Sequence, residues 1–303
     1  MKKVESQGYA LRDCGLYNIQ TKAVLAKRLL VSPSRLTRLT NKQDRYRCWT
    51  EPKKSGGTRE IEAPLDDLKD VQKRISELLG RVRAPSYLMA PVKGRSYVDN
   101  AAIHVGSQCF RLLDIEDFFP SCTEKRVFWF FRTVMRCSVD VAAVLARLST
   151  RNGRLPQGSP CSPILAFYAY FDMWETINAT VESRKCYLTV YADDITISGE
   201  SIREFDVWRI KQTLFKFGHR YNRSKERAII NRPADITGVI VRGDILLLPN
   251  RQHKALTEVI RKRSSAGTSL ERNAIDRQIR GRIAQAGQIT RHLEKIGAKI
   301  ASA

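Results

Sequence analysis

The sequence predicts an α+β fold in which a small antiparallel sheet, packed on helices, presents acidic side chains at one end. The runs Cys186-Tyr187-Leu188-Thr189-Val190 and Ile195-Thr196-Ile197-Ser198-Gly199 are β-branched and aromatic, and the polar break between them falls at Ala192-Asp193-Asp194. They therefore read as a hairpin with two carboxylates at its turn. Phe110-Arg111-Leu112-Leu113-Asp114-Ile115 reads as a short buried strand ending in a third Asp. Helical apolar spacing dominates elsewhere. At 303 residues and 43% apolar content, the chain is large enough for a core with subdomains.

In chain order, residues 19–41 read as two short amphipathic helices broken at Ser32-Pro33. That spacing suits a helix-turn-helix or a plain helical hairpin; a helical lead-in is the expectation. Lys53 to Thr58 is a Gly-rich basic turn between extended segments, and Asp66 to Arg83 is helical by period. Ser121 with Glu124 has capping-box spacing for a helix through Val127-Phe128-Trp129-Phe130-Phe131. Ser162-Pro163 opens a long apolar helix, with Pro in its first turn. Ala228 to Leu248 reads as short strands interrupted at Arg232-Pro233 and Arg242-Gly243. From Gln252 onward the pattern is helical and basic, with a break near Ser264–Ser269.

Charge narrows the function. Lys+Arg total 53 against 31 Asp+Glu, a formal +22, which points to a polyanionic partner. The excess sits at the ends: residues 1–60 hold 14 basic and 5 acidic side chains, residues 250–303 hold 12 and 4. Cysteines 14, 48, 109, 122, 137, 161 and 186 form no C-x-x-C pair, so neither a zinc site nor a disulfide framework is indicated; buried thiols in a reducing cytosol are expected. No stretch approaches a membrane span and no apolar leader follows Met1-Lys2-Lys3, so a soluble, cytoplasmic protein without membrane contact is expected.

The three acids are the candidate chemistry. Adjacent carboxylates repel, and Asp is a poor strand residue. Asp193 and Asp194 therefore suit either a solvated surface turn or a divalent cation, and Asp114 suits either a strand end or the same cation. Mg²⁺ takes few carboxylates and completes its shell with water and substrate phosphates; two such ions stabilise the attacking and leaving oxygens of a displacement at phosphorus.

The order strand-Asp114, then Leu155-Pro156-Gln157-Gly158-Ser159-Pro160-Cys161-Ser162-Pro163, then Tyr191-Ala192-Asp193-Asp194 resembles the palm motifs of reverse transcriptases. More narrowly the chain resembles retron reverse transcriptases. Asn100-Ala101-Ala102-Ile103-His104 matches that group's NAxxH element, and Ile236-Thr237-Gly238 stands where the group carries Val-Thr-Gly. The segment from Tyr46 to Pro64 looks like the group's fingers, and the likeness runs from about residue 45 to the C-terminus.

The resemblance implies a right-hand polymerase: lead-in and fingers over 1–105, palm over 106–122, fingers again over 123–155, palm over 156–243, and a short helical basic thumb over 244–303. It implies two Mg²⁺, with Mn²⁺ as a substitute, on Asp114, Asp193, Asp194 and the Ile115 carbonyl. The incoming dNTP would meet Lys54 and Arg59 from the fingers, Asp117 and Phe118 backbone amides near a helix start, and Gln157 in the pocket. Phe119, five positions after Asp114, stands where the family places its gate against the ribose 2′-hydroxyl; it reads equally as one more core Phe beside Phe118. Asn222-x-x-Lys225 resembles the later palm element in which Lys225 would protonate pyrophosphate, although Glu226 replaces the usual Thr. Asn100 and His104 read as a structural hydrogen-bond node or, if functional, as shaping the RNA-binding surface. RNA would also lie on Arg261, Lys262, Arg263, Arg272, Arg277, Arg280, Arg282 and Arg291.

The implied activity is RNA-directed DNA synthesis of the retron type. A cognate structured noncoding RNA of msr-msd type would prime from an internal guanosine 2′-hydroxyl. The single-stranded DNA made would stay branched to it, with a separate effector protein in anti-phage defence. With no ribonuclease H extension, template removal would fall to a host ribonuclease H. Two other readings stand beside it. One is a reverse transcriptase of another lineage, group II intron-like or abortive-infection type. The other is a catalytically silent RNA-binding scaffold, which would have no need of three converging acids.

Overall fold

The computed structural model describes residues 8–41, 45–53, 56–265 and 267–301, with side chains described through residue 289. The N-terminal pair forms as expected. Helix α1 (Lys22–Leu29) is capped by the Thr21 hydroxyl accepting from the Val24 amide, and α2 (Pro33–Asn41) starts at its proline. Strands β1 (Tyr46–Pro52) and β2 (Thr58–Pro64) make an antiparallel ribbon whose tip is the Gly-rich basic turn. Helix α3 (Asp66–Leu79) ends earlier than its period suggested, at Gly80; it buries Leu68, Val71, Ile75, Leu78 and Leu79 at three- and four-residue spacing. Each such buried side chain contributes about 1.5–3 kcal/mol.

The main sheet then assembles. Strand β3 (Leu88–Ala90) is followed by helix α4 (Tyr97–Ala102) and strand β4 (Cys109–Asp114). After β4 come the four-residue helix α5 (Phe118–Ser121), α6 (Glu124–Trp129) continued by a π turn over Phe130–Val134, and α7 (Val139–Ser149). Helices α8 (Ser162–Tyr168) and α9 (Phe171–Glu182) precede the hairpin of β5 (Tyr187–Tyr191) and β6 (Asp194–Gly199). Helix α10 (Glu204–Lys216) leads to β7 (Arg227–Ile230), and the sheet order is β3-β5-β6-β4-β7. All neighbours are antiparallel except β3 with β5. Strands β8 (Ala234–Ile236), β9 (Val239–Arg242) and β10 (Ile245–Leu247) form a separate three-stranded sheet, and α11 (Asn250–Ser264) and α12 (Ser269–Ala301) close the chain.

Two expectations are corrected. The helix after Asp114 is capped by Thr123, whose hydroxyl accepts from the Arg126 amide. Ser121 instead ends α5, donating to the Phe118 carbonyl 2.8 Å away, so the Ser121–Glu124 capping box does not form. The apolar helix opened by Ser162-Pro163 is not long: Tyr170 leaves helical geometry and splits it into α8 and α9. Tyr170 is fully buried there, its hydroxyl donating to the Ser121 carbonyl and its ring 4.3 Å from that of His219. A tertiary anchor, not a local breaker, ends α8.

One core joins α1–α3, α6–α9 and the inner face of β4–β6. A second, smaller core lies between α4, β4 and the β8–β10 sheet, and Ile289 of α12 reaches into it. Four of the cysteines, Cys14, Cys122, Cys137 and Cys161, are buried thiols; Cys48 is exposed and all seven are free. Among the described residues no helix is long and apolar enough to cross a membrane.

Candidate active site

The sheet itself brings the acids together. Asp114 ends β4 directly opposite Asp194, the first residue of β6. Tyr191 pairs with Asp194 to close the hairpin, Ala192 takes positive φ (56°), and Asp193 sits in the turn. The Asp193 carbonyl accepts from the Ile115 amide at 2.9 Å, while the Asp114 carbonyl accepts from the Asn222 amide at 2.8 Å. Backbone bonds on both sides thus fix where the three carboxylates start.

Their electrostatics follow from crowding. Burial, then the charges of Asp193 and Asp114, push the Asp194 carboxyl up to about 7. Burial first, then the Asp114 charge, raises Asp193 as well. Lys225 opposes both: its Nζ lies 2.7 Å from Asp114 Oδ2, and that hydrogen bond raises the ammonium's own pKa. A hard-oxygen, mutually repelling cluster of this kind is suited to divalent cations. Among the described residues no group of three His, Cys, Asp or Glu is placed to hold a metal ion. The cation on Asp114 is the Lys225 ammonium.

The loop bearing Lys225 is built for its place. Asn222 Oδ1 accepts from the Ser224 amide at 3.0 Å and the Ser224 hydroxyl at 2.7 Å, so Asn222 shapes the turn. Glu226, the departure from the family pattern, pairs with Lys211 of α10 at 2.6 Å. Beside the acids, Asp117 adopts left-handed geometry (φ 44°) to start α5, and Lys53 Nζ reaches its Oδ1 at 3.3 Å. Phe118 is core, packed on Trp174 and His219. Phe119 is only half-buried, which separates the two neighbours that the pattern left equal.

The Gln157 turn docks on the fingers ribbon. The Gln157 carbonyl accepts from the Glu62 amide at 2.7 Å, and Gly158 at φ 131° comes so close that a Cβ would lie 3.1 Å from the Glu62 oxygen. Ser159 is buried and donates to Gln72 Oε1 of α3 at 2.6 Å. Arg59 lies on exposed β2, paired at 2.9 Å with Glu51 of β1. Lys54 lies outside the described residues.

Asn100 and His104 are corrected as RNA contacts. Both are fully buried. His104 bridges the hairpin from behind, Nδ1 to Ser198 Oγ at 2.7 Å and Nε2 to Thr189 Oγ1 at 2.8 Å. Asn100 Nδ2 donates to Thr237 Oγ1 at 3.0 Å, so NAxxH and Ile-Thr-Gly are two halves of one buried network. On the thumb, Arg261, Lys262, Arg272, Arg277 and Arg280 are exposed and Arg282 half-buried. Arg263 is engaged with Asp276, Nη2 to Oδ2 at 3.2 Å, which clips α11 to α12. Arg291 lies beyond the described side chains.

Sequence reasoning missed the floor of the site. His219 Nδ1 meets Ser121 Oγ at 2.8 Å beneath Phe118, and burial lowers its pKa to about 4. Glu62, buried, pairs with Arg151 and braces the ribbon. Arg126 pairs with Asp172 and lies over the Trp129 ring at 4.0 Å. Each pair spans tens of residues, so no local signal marks it.

A sheet that sets a strand-end acid against an acidic hairpin, with a ribbon that meets it at Gln157 and Asp117, has the layout of the palm and fingers of a right-hand polymerase. The chain belongs to the reverse transcriptase family: residues 51–241 match reverse transcriptase (RNA-dependent DNA polymerase). Members of that family generally use divalent metal ions. Among curated relatives, the chain is similar to the retron Se72 reverse transcriptase of Salmonella heidelberg (strain 579083-10), 35% identical over 50% of this chain and 40% of the relative. It is 30% identical to the retron Ec86 reverse transcriptase of Escherichia coli over 65% of this chain and 62% of that one. It is 31% identical to the retron Mx65 reverse transcriptase of Myxococcus xanthus over 65% and 51%. The chain thus spans between 40% and 62% of the length of these relatives.

Proposed function

We propose that this chain is an RNA-directed DNA polymerase of the retron type. The observation that carries the reading is the register pair Asp114–Asp194 with Asp193 in the adjoining turn, facing Lys225. Asp114, Asp193 and Asp194, with the Ile115 carbonyl, would hold two Mg²⁺, which would supply charge stabilisation to the attacking primer hydroxyl oxygen and the leaving pyrophosphate. Lys225 then leaves Asp114 and presents its proton to the pyrophosphate oxygen. Arg59 and Lys54 clamp the triphosphate, Asp117 and Phe118 offer amides, Gln157 lines the base side and Phe119 excludes the ribose 2′-hydroxyl. Residues 1–105 and 123–155 act as lead-in and fingers, 106–122 and 156–243 as palm, and 244–303 as an RNA-binding thumb.

The substrate reading follows the retron relatives. A cognate noncoding RNA of msr-msd type supplies template and an internal guanosine 2′-hydroxyl primer, the DNA stays branched to it, and a host ribonuclease H removes template. A separate effector and a defence role in the cytoplasm complete that reading by analogy. The test is the nucleic acid that co-purifies with the chain, treated with ribonuclease and then a 2′,5′-debranching enzyme, for wild type and Asp193→Asn. Discrete single-stranded DNA that shifts on debranching and is missing from the mutant is the expected result. Unbranched DNA discards the retron type, and RNA without DNA in both samples discards the polymerase.

A further inference from the structure

Helix α10 carries a face that the polymerase reading does not use. Its buried side is Asp206, Val207, Ile210 and Leu214. Opposite them, within roughly a third of the helix circumference, stand Phe205, Trp208, Arg209, Gln212, Phe215 and Lys216. The rings are open to solvent: Phe205 is 62% exposed, Trp208 53% and Phe215 43%. Phe205 and Trp208 already stack on each other, centroids 5.6 Å apart and planes 21° from parallel. Phe215 continues the row to Tyr221, 5.8 Å away, in the loop that leads to Lys225.

The charges around the rings are sorted. Every acid of α10 is taken: Glu204 pairs with Arg111, and Asp206 pairs with Arg184 at 3.1 Å. Lys211, at the edge, is held by Glu226. No ion pair among the described residues engages Arg209 or Lys216, so the outward face is cationic between its rings. A protein-binding stripe has no need of this sorting. Flat rings alternating with free cations match single-stranded nucleic acid, whose bases stack while its phosphates are neutralised. A duplex hides its bases from such a surface.

We infer that the outer face of α10 is a track for single-stranded DNA, leading away from the catalytic loop. This rests on the polymerase reading for its choice of strand, since DNA is the single strand left once the host ribonuclease H has removed the template from the hybrid. Beside its two cations the face offers only Gln212 and the Trp208 indole N–H as hydrogen-bonding groups, few means of seeking a ribose 2′-hydroxyl. From Phe205 to Phe215 the track runs about 15 Å. That is room for about four stacked bases.

The test is equilibrium binding of a fluorescent oligo-dT to the full-length chain, without dNTPs or divalent cations. It therefore reads independently of polymerase activity, and a chain that fails to synthesise DNA can still pass. Phe205→Ala and Trp208→Ala, checked for wild-type melting, should each weaken oligo-dT binding, together by between about fivefold and a hundredfold at fixed salt. Phe205→Tyr should bind like wild type, and binding of a blunt duplex should not change. Arg209→Gln with Lys216→Gln should lower the salt slope, which the ring variants leave alone. Unchanged oligo-dT affinity in the ring variants overturns the proposal. So does oligo-U bound at least as tightly and equally weakened, which moves the track to RNA. A concentration-dependent self-association lost in Trp208→Ala, with oligonucleotide binding intact, assigns the face to a protein contact instead.

Discussion

The acidic hairpin and the two C-terminal helices are held by opposite means. Asp193 and Asp194 sit on a hairpin whose backbone is paired to β4, whose turn is tied to Ile115 and whose strands are pinned from behind by the buried His104. Among the described side chains, helices α11 and α12 are largely exposed and join the body through Val259, Ile289, a bond from Tyr97 to the Gln285 carbonyl, the Arg251–Asp235 pair and a bond from Gln252 to the Gly238 carbonyl. Repelling charges need a frame that does not yield, and buried hydrogen bonds supply one because breaking any of them strands a polar group.

The largest break of this contrast is at the acids. Asp193→Asn should reduce primer extension on an RNA template to the blank, while the melting temperature holds or rises because a crowded charge is gone. Residual extension above the blank would remove Asp193 from the site. His104→Ala should cost about 3 kcal/mol in urea unfolding, from a cavity and an orphaned Thr189 hydroxyl, while Ser198 keeps its bond from Ser107. Arg280→Ala on the thumb should change stability by no more than about 0.5 kcal/mol. Equal effects would erase the distinction between the regions.

Acid should test the same frame. Burial holds His104 down to about 3 and His219 to about 4, below the 6.5 of an exposed imidazole. Both therefore favour folding fully above pH 6.5, where the imidazoles are neutral in both states. That stability is lost as pH falls from 6.5 toward 4, because the unfolded chain binds protons the folded one refuses. Melting temperature should drop across that window, and His219→Gln should flatten part of the slope; a profile flat from 7 to 4 would contradict the burial. Gly158→Ala, with a Cβ 3.1 Å from the Glu62 carbonyl and φ at 131°, should cost about 1–3 kcal/mol and loosen ribbon from palm. Limited proteolysis within β1–β2 would report it. Smallest is the thumb: Arg277→Gln should leave melting unchanged and lower the salt slope of RNA binding by about one.

What the sequence made legible was local. Period-two runs and an Asp-Asp break marked β5 and β6, Ser32-Pro33 marked the gap between α1 and α2, and Arg232-Pro233 and Arg242-Gly243 marked the short strands. The cap of α6 was misplaced because Ser121 and Thr123 are both acceptable cap residues two positions apart. The choice between them is made by α5, which takes Ser121 for itself. The end of α8 carries no Gly or Pro and is set by Tyr170 reaching Ser121. His104 and Asn100 read as a hydrogen-bond node whose partners the sequence could not name, since nothing local shows that they lie 85 to 137 positions onward. Polar groups satisfied at such range are invisible to pattern and decisive for the frame.

The Asp114–Asp194 pairing has an evolutionary consequence. In a strand the side chains alternate, so a one-residue slip of β6 against β4 would carry Asp194 to the opposite face and offer Ile195 in its stead. Point substitutions along β5 and β6 leave that alignment in place, whereas a single inserted or deleted residue anywhere between Tyr187 and Gly199 reassigns every position after it. Divergence of this chain's lineage should therefore proceed by replacement within the hairpin and by length change outside it.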